Sequence, residues 1–158
     1  MTRQERIYLT ARDNIGETAW SPDNEREARR KANVFFKKGE PKCNLFVYEV
    51  LLAAGYDIGT PNELNPFKHP ILAINGQLDR PPCAIDWYNK KVSGMEFIGE
   101  NNNGRRNCMQ GDIITDGNHM GIVAGNNQTI SASYDEKKVV RNSLGFKGEN
   151  VRLFRCIK

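Results

Sequence analysis

The fold of the N-terminal half is decided by the stretch Cys43-Asn44-Leu45-Phe46-Val47-Tyr48-Glu49-Val50-Leu51-Leu52-Ala53-Ala54-Gly55. The run after the cysteine carries a single charge and is too long for a typical strand, so it predicts a buried helix. Gly55 fits the left-handed position at which many helices end. Cys43 is therefore expected at the helix N-terminus.

This position favours a chemical role for Cys43. The free N–H groups and the dipole of a helix N-terminus stabilise negative charge, and Lys37, Lys38 and Lys42 add positive charge nearby. We therefore expect the pKa of the thiol to be lowered, and a thiolate is the nucleophile of cysteine hydrolases. The alternative is an inert packing residue, because free cysteines are among the most buried side chains.

A second informative stretch is Gln110-Gly111-Asp112-Ile113-Ile114-Thr115-Asp116-Gly117-Asn118-His119-Met120-Gly121-Ile122-Val123-Ala124-Gly125, followed by a β-type run over 128–133. Three short β-type runs separated by Gly, Asn and Asp predict an antiparallel meander. His119 opens the middle strand and is one of two histidines in the chain. Imidazole titrates near neutral pH and can take a proton from a thiol.

The order of these motifs resembles the NlpC-type and CHAP-type papain-like cysteine peptidases, which hydrolyse amide bonds in bacterial cell-wall peptide. The resemblance rests on a helix-borne cysteine, a Gly-Asp-aliphatic-aliphatic segment at 111–114 and a His-x-Gly-Ile-Val-x-Gly segment at 119–125. Weaker similarities at 7–16 and 84–88 extend it over most of residues 7–133. It implies that Cys43 and His119 are the catalytic pair, with no cofactor and no metal.

The sequence departs from the family pattern at two places. Many members have Asp-Cys-Ser at the nucleophile, where this chain has Lys42-Cys43-Asn44. In many members the residue that orients the histidine lies twelve positions after it and is His, Asp, Asn or Gln; that position is Ser131 here. Strand alternation puts Ser131, Ser133 and Asp135 on one face, so Asp135 is the alternative. An arrangement without a side-chain orienter also stays open.

Composition predicts one compact domain over residues 1–158. With 39% hydrophobic and 27% charged residues the chain is ordinary for a globular protein, and its length suffices for a core. It has no apolar run of the length that a membrane span needs, and the basic N-terminal residues are not followed by the apolar run of a secretory signal. We expect synthesis in the bacterial cytoplasm and no membrane insertion.

The net charge of +4 favours an acidic partner, and peptidoglycan stems are anionic. The basic clusters 29–31, 37–38 and 105–106 lack a nucleic-acid-binding motif, so no nucleic acid is expected.

The other cysteines are Cys83, Cys108 and Cys156, and the absence of a Cys-x-x-Cys pair argues against zinc. They are expected to be free thiols, with one disulfide possible outside the cytoplasm. Cys83 is the rival nucleophile because a short helical run follows it.

Periodicity and turn residues predict an α+β architecture, in which N-terminal helices pack on a C-terminal antiparallel sheet. Asn101 to Arg106 is expected to be an exposed loop. Residues 56–82 carry five of the seven prolines and His69, so they are expected to form an irregular insert that could line the cleft. Helices are predicted near 5–14, 23–38, 43–54 and 84–91, and strands near 95–98, 111–115, 119–124, 128–133, 137–141 and 151–155.

A small catalytic domain without a leader or wall-binding module resembles the type VI secretion amidase effectors. That resemblance implies export to the periplasm of a target cell and a cognate immunity protein in the producer. The alternatives are a phage endolysin of the same chemistry and a catalytically inactive wall-binding module. The sequence leaves open which stem or cross-link amide is cut.

Overall fold

The computed structural model describes residues 1–31, 34–58, 67, 80–148 and 150–157, and these form a mixed α+β structure. The described helices are α1 (Arg3–Asp13), α2 (Cys43–Ala53), α3 (Ala84–Tyr88) and α4 (Asn101–Asn107). The described strands are β1 (Arg26–Glu27), β2 (Phe35–Phe36), β3 (Met95–Glu100), β4 (Ile113–Thr115), β5 (Met120–Gly125), β6 (Gln128–Ser133), β7 (Lys138–Asn142) and β8 (Arg152–Cys156).

The main sheet is antiparallel and has the strand order β3-β8-β4-β5-β6-β7. The predicted meander is confirmed, since β4 pairs with β5 and β5 with β6. The C-terminal strand does not close the sheet at an edge, because β8 pairs with both β3 and β4. Leu153 and Phe154 alternate along β8 and are buried on opposite faces of the sheet. Burial on both faces suits a strand in the interior of the sheet.

The apolar run after Cys43 forms the predicted buried helix. α2 packs on β5 and β6, and its residues from Cys43 to Leu52 are all buried. Gly55 has a φ of +100°, the left-handed conformation expected at the helix end. α1 packs against α2 and β5, and Gly111 permits this approach, because a Cβ there would collide with the carbonyl of Gln4.

The helix predicted near 23–38 is wrong, because this segment holds the two-stranded hairpin β1–β2. Val34 and Phe36 are buried, whereas Phe35 between them is 36% exposed, which is the two-residue period of a strand. Ser21 does not cap a helix; its Oγ accepts a hydrogen bond from the Asp23 amide in a turn, at 3.1 Å. Packing therefore outweighed the helical signal of the charged residues.

The loop predicted at Asn101 to Arg106 is also wrong, because it forms α4. Three contacts with distant residues hold it: Arg105 donates to the Gly145 carbonyl at 2.7 Å, Asn101 accepts from the Val151 amide at 3.1 Å, and Gly104 packs against Leu153. Most of the predicted insert 56–82, including His69, lies outside the described residues.

Several loops meet at one end of the sheet. Gly16, after α1, donates to the Val139 carbonyl at 2.8 Å, and Gly39, before α2, donates to the Pro22 carbonyl at 2.6 Å. Thr115, at the end of β4, donates through Oγ1 to the Ala84 carbonyl at 3.0 Å. Because β5 starts where β6 ends, this end also carries His119 and the β6–β7 turn.

Candidate functional site

Cys43 is the first residue of α2 and lies against the start of β5. Its side chain is buried, with 5% exposure. The thiol is within hydrogen-bonding reach of main-chain amides, those of Met120 on β5 and of Asn44 and Cys43 itself at the helix start. The helix N-terminus thus places Sγ beside the residue that follows His119.

The expected lowering of the Cys43 pKa is wrong. Burial raises the pKa of the thiol to about 11, and the three amide contacts, each of which lowers it, do not compensate. Lys42 is not among the groups that shift the pKa of the thiol, and its Nζ donates to the carbonyls of Lys37 and Glu40, both at 3.0 Å. Desolvation therefore outweighs the helix N-terminus, and Cys43 is a neutral thiol at pH 7.

His119 and Ser131 are in contact. The His119 Nε2 and the Ser131 Oγ are 3.2 Å apart, so the residue twelve positions after the histidine meets its ring as the resemblance implied. Gly121 makes this possible, because a Cβ there would lie 2.9 Å from the Ser131 Cβ and 2.7 Å from the Ile130 carbonyl oxygen. Close packing of β5 against β6 therefore requires a glycine at this position of the His-x-Gly segment.

The protonation state of His119 is set mainly by burial. Burial lowers the pKa of its imidazole below the usual value, while the nearby Asp116 carboxylate acts in the opposite direction. The ring is therefore neutral at pH 7 and can accept a proton. A neutral thiol and a neutral imidazole face the same end of the sheet.

Asp116 is the site residue that the sequence reasoning missed. Its Oδ1 accepts hydrogen bonds from the amides of His119, at 2.7 Å, and Asn118, at 2.8 Å. Its charge raises the pKa of both Cys43 and His119. The signal was present in the sequence as an Asp-Gly turn three residues before the histidine, since Asp commonly accepts hydrogen bonds from the backbone of its own turn.

Asp135, the alternative orienter, lies away from the imidazole contact. β6 ends at Ser133, and Asp135 is exposed in the β6–β7 turn, where alternation no longer applies. There it lines a groove of about 560 Å³. The Ser133 Oγ accepts from the Glu136 amide at 3.1 Å and so caps the turn. Of the three candidates on this strand, Ser131 is the one at the ring.

All four cysteines are free thiols in the structure. The pKa of the rival Cys83 is raised, first by burial and then by Asp86, whose carboxylate accepts from the Cys83 amide at 2.9 Å. Cys83 is the N-cap of the short α3, so a helical run follows it as predicted. Among the described residues, its electrostatic neighbours are Asp86, Arg80 and Glu40.

Two other residues near the motifs have structural roles. Asp112 is fully buried and accepts from the Met109 amide and from the Arg155 guanidinium, each at 2.8 Å, so it holds the turn before β4. Tyr48 is a core residue whose hydroxyl donates to the Arg29 carbonyl at 2.8 Å.

Among the described residues, no cluster of His, Cys, Asp or Glu could hold a metal ion. The helices in the described ranges are all too short or too polar to cross a membrane. No protein-family model, no curated protein and no solved structure matches the chain.

If the protein is a cell-wall hydrolase, as the resemblance implies, and Ser131 only positions the His119 ring, Ser131→Ala should lower the rate of hydrolysis about tenfold, because a single neutral hydrogen bond is lost. Asp135→Asn should leave kcat near that of the wild type, since Asp135 lies in the exposed turn and lines the groove there. Steady-state kinetics on a soluble cell-wall peptide would measure both effects. A larger loss in Asp135→Asn than in Ser131→Ala would contradict the assignment of Ser131.

Proposed function

We propose that this protein has a papain-like NlpC-type fold and is a peptidoglycan amidase that uses Cys43 as its nucleophile. The observation that carries the proposal is the meeting of three elements: a cysteine at a helix N-terminus, its thiol at the Met120 amide, and the adjacent His119 bound to Ser131 at 3.2 Å. The resemblance of the sequence motifs to cell-wall peptidases supplies the substrate class. Fold alone does not specify a substrate.

The proposed reaction starts from neutral groups. His119 Nε2 faces Ser131, which leaves Nδ1 for the thiol of Cys43. As Sγ attacks the carbonyl carbon of the scissile amide, its proton passes to the imidazole, and the imidazolium then protonates the leaving amine. In the second half, His119 takes a proton from water as its oxygen attacks the acyl carbon, the bond from that carbon to Sγ breaks, and the imidazolium returns the proton to Sγ, which restores the neutral pair. The Cys43 amide at the helix start is a candidate donor to the oxyanion.

A surface groove of about 560 Å³ supplies a candidate path for the peptide. It is formed between the 22–23 and 38–39 loops and the β6–β7 turn, at the end of the sheet that carries His119. Two lysines and two aspartates line it, namely Lys38, Lys137, Asp23 and Asp135, and Lys137 pairs with Asp23 at 3.4 Å. Donors and acceptors of both charges are therefore available to a peptide that carries amide, carboxylate and ammonium groups.

For the biological setting we propose an antibacterial type VI secretion effector with a cognate immunity protein, as the resemblance implies. It would be made in the producing cell and act in the periplasm of a target cell. A phage endolysin would use the same chemistry, and a catalytically inactive wall-binding module would bind without cutting.

Digestion of purified peptidoglycan, with mass spectrometry of the released fragments, tests the proposal. We expect new amine and carboxylate ends at one kind of amide, either within the stem or at the cross-link. Cys43→Ser, which replaces only the sulfur, is the matched control and should release nothing. Binding to the wall without release of fragments by the wild type would favour the inactive module.

Compartment should determine toxicity, because the amide bonds of the wall lie outside the inner membrane. Expression in the cytoplasm of a Gram-negative host should be tolerated, whereas fusion of a secretory signal should cause lysis. Turbidity of the culture after induction measures this, and the same fusion carrying Cys43→Ala should not lyse. Equal killing from the cytoplasm would contradict a wall substrate.

A further inference from the structure

The contact between His119 and Ser131 leaves a chemical problem unsolved. A serine hydroxyl can hold an imidazole by a hydrogen bond, but it carries no charge to stabilise the imidazolium that forms when the thiol proton is transferred. His119 is also half-buried, and this partial burial disfavours the charged form of its ring. The site therefore needs a negative charge from elsewhere.

Asp116 is fixed beside His119 by the β4–β5 turn. The His119 amide donates to Asp116 Oδ1 at 2.7 Å, and the Asp116 amide donates to the His119 carbonyl at 3.1 Å. A third hydrogen bond, from the Asn118 amide at 2.8 Å, also ends on Oδ1. The carboxylate thus cannot move independently of the His119 backbone. Both residues line the same small cavity of about 10 Å³.

We propose that Asp116 supplies the charge that stabilises the His119 imidazolium, and that Ser131 only orients the ring. In many NlpC-type peptidases a single polar residue after the histidine has both functions; here the orientation of the ring and the stabilising charge come from two residues on different elements. Asp116 is a positioning residue in this scheme, since it acts through the histidine. The catalytic role of Asp116 rests on the proposed function, whereas its electrostatic effect on the His119 ring does not.

The charged surroundings of the ring support this assignment. The described elements around His119 carry the titratable or charged groups of Cys43 on α2, Asp116 in the β4–β5 turn, Tyr88 on α3, Arg152 on β8 and Lys138 on β7. The Arg152 guanidinium lies 4.3 Å from the centroid of the Tyr88 ring, and Lys138 pairs with Ser133 in the sheet. Among them Asp116 is the group whose charge acts on His119, and its negative charge favours the protonated ring.

Asp116→Asn tests the proposal, because the amide oxygen can still accept the hydrogen bonds of the turn while the charge is lost. The readout is the titration of the His119 Cε1 proton by NMR, assigned with His69→Gln. We expect the pKa of His119 to fall in Asp116→Asn, since a stabilising charge is removed from the protonated form. Glu136→Gln, which removes one charge from the exposed β6–β7 turn, should leave it unchanged.

The kinetic readout follows from the same argument. Asp116→Asn should lower kcat about tenfold with little change in KM, and the acidic limb of the pH profile should move to lower pH. If Asp116→Asn folds poorly, Asp116→Ser keeps a short acceptor for the turn amides and allows the same measurements.

An unchanged His119 pKa in a folded Asp116 variant would overturn the inference even if the wild type cuts peptidoglycan. Conversely, a fall in the His119 pKa would uphold the electrostatic role even if no wall substrate is cut. The titration therefore separates failure of this inference from failure of the proposed function.

Discussion

Cys43→Ala and His119→Ala should each reduce hydrolysis of cell-wall peptide about 10³-fold or more, and the double variant should be no worse than either single one. The thiol forms the bond to the substrate, and the histidine moves its proton, so loss of either residue stops the same step. Both variants should keep the fold. Kinetics on purified peptidoglycan, together with circular dichroism, would measure the effect.

Cys83→Ala is the matched control for the nucleophile. Cys83 also lies at a helix N-terminus, but its electrostatic neighbours among the described residues are Asp86, Arg80 and Glu40. It should retain the activity of the wild type. If Cys83→Ala is inactive while Cys43→Ala is active, the assignment of the nucleophile is wrong.

The pH dependence of the same reaction follows from the two shifted groups. The pKa of His119 is lowered, so activity should persist below pH 6.5 and be lost only as the ring becomes protonated. The pKa of Cys43 is raised to about 11, so no alkaline change from thiol ionisation is expected near neutral pH. A pair that reacts as a preformed thiolate and imidazolium would instead lose activity as the histidine loses its proton.

Asp112→Ala should destabilise the fold by about 1–3 kcal/mol, because it removes the buried acceptor of the Met109 amide and of the partly exposed Arg155 guanidinium. Arg155 donates to Asp112 through Nε at 2.9 Å and Nη2 at 2.8 Å, and the Asp112 side chain is fully buried. The pair joins the turn before β4 to β8 at the middle of the sheet. Urea unfolding followed by circular dichroism would measure the loss.

Asp13→Ala provides the comparison, because its pair with Arg12, at 3.3 Å, is exposed on both sides. Exposed pairs contribute about 0–1 kcal/mol. The two aspartates should therefore differ clearly in the free energy of unfolding. If Asp112→Ala and Asp13→Ala lower the free energy of unfolding by similar small amounts, the Asp112–Arg155 pair does not contribute substantially to the stability of the sheet.

The sequence predicted the elements whose signals are local and strong. The run after Cys43 carries a single charge and is otherwise largely apolar, so it predicts a buried helix whichever elements cover it. The alternating runs and turn residues of 110–142 likewise predicted each strand of the meander to within a few residues. Their order placed Cys43 and His119 at the ends of two elements, where the structure brings them to one end of the sheet.

Local signals failed where distant contacts decide the conformation. Residues 23–38 carry many charges that suit a helix, yet Arg26 pairs with the buried Glu49 at 2.7 Å and Phe36 enters the core, so a hairpin forms. Asn101 to Asn107 have poor helix propensity, but contacts with Gly145, Val151 and Leu153 hold them in α4. Neither set of contacts can be read from nearby residues.

By itself the sequence determined the α+β class, the buried helix that begins at Cys43, and the spacing that places Ser131 on the strand after His119. Only the tertiary structure decided the electrostatics of the site. Burial raises the pKa of Cys43 against the effect of the helix N-terminus, and the β4–β5 turn holds Asp116 beside His119. The physical reason is that desolvation and charge interactions depend on everything packed around a group, whereas propensity and periodicity depend on its neighbours in the chain.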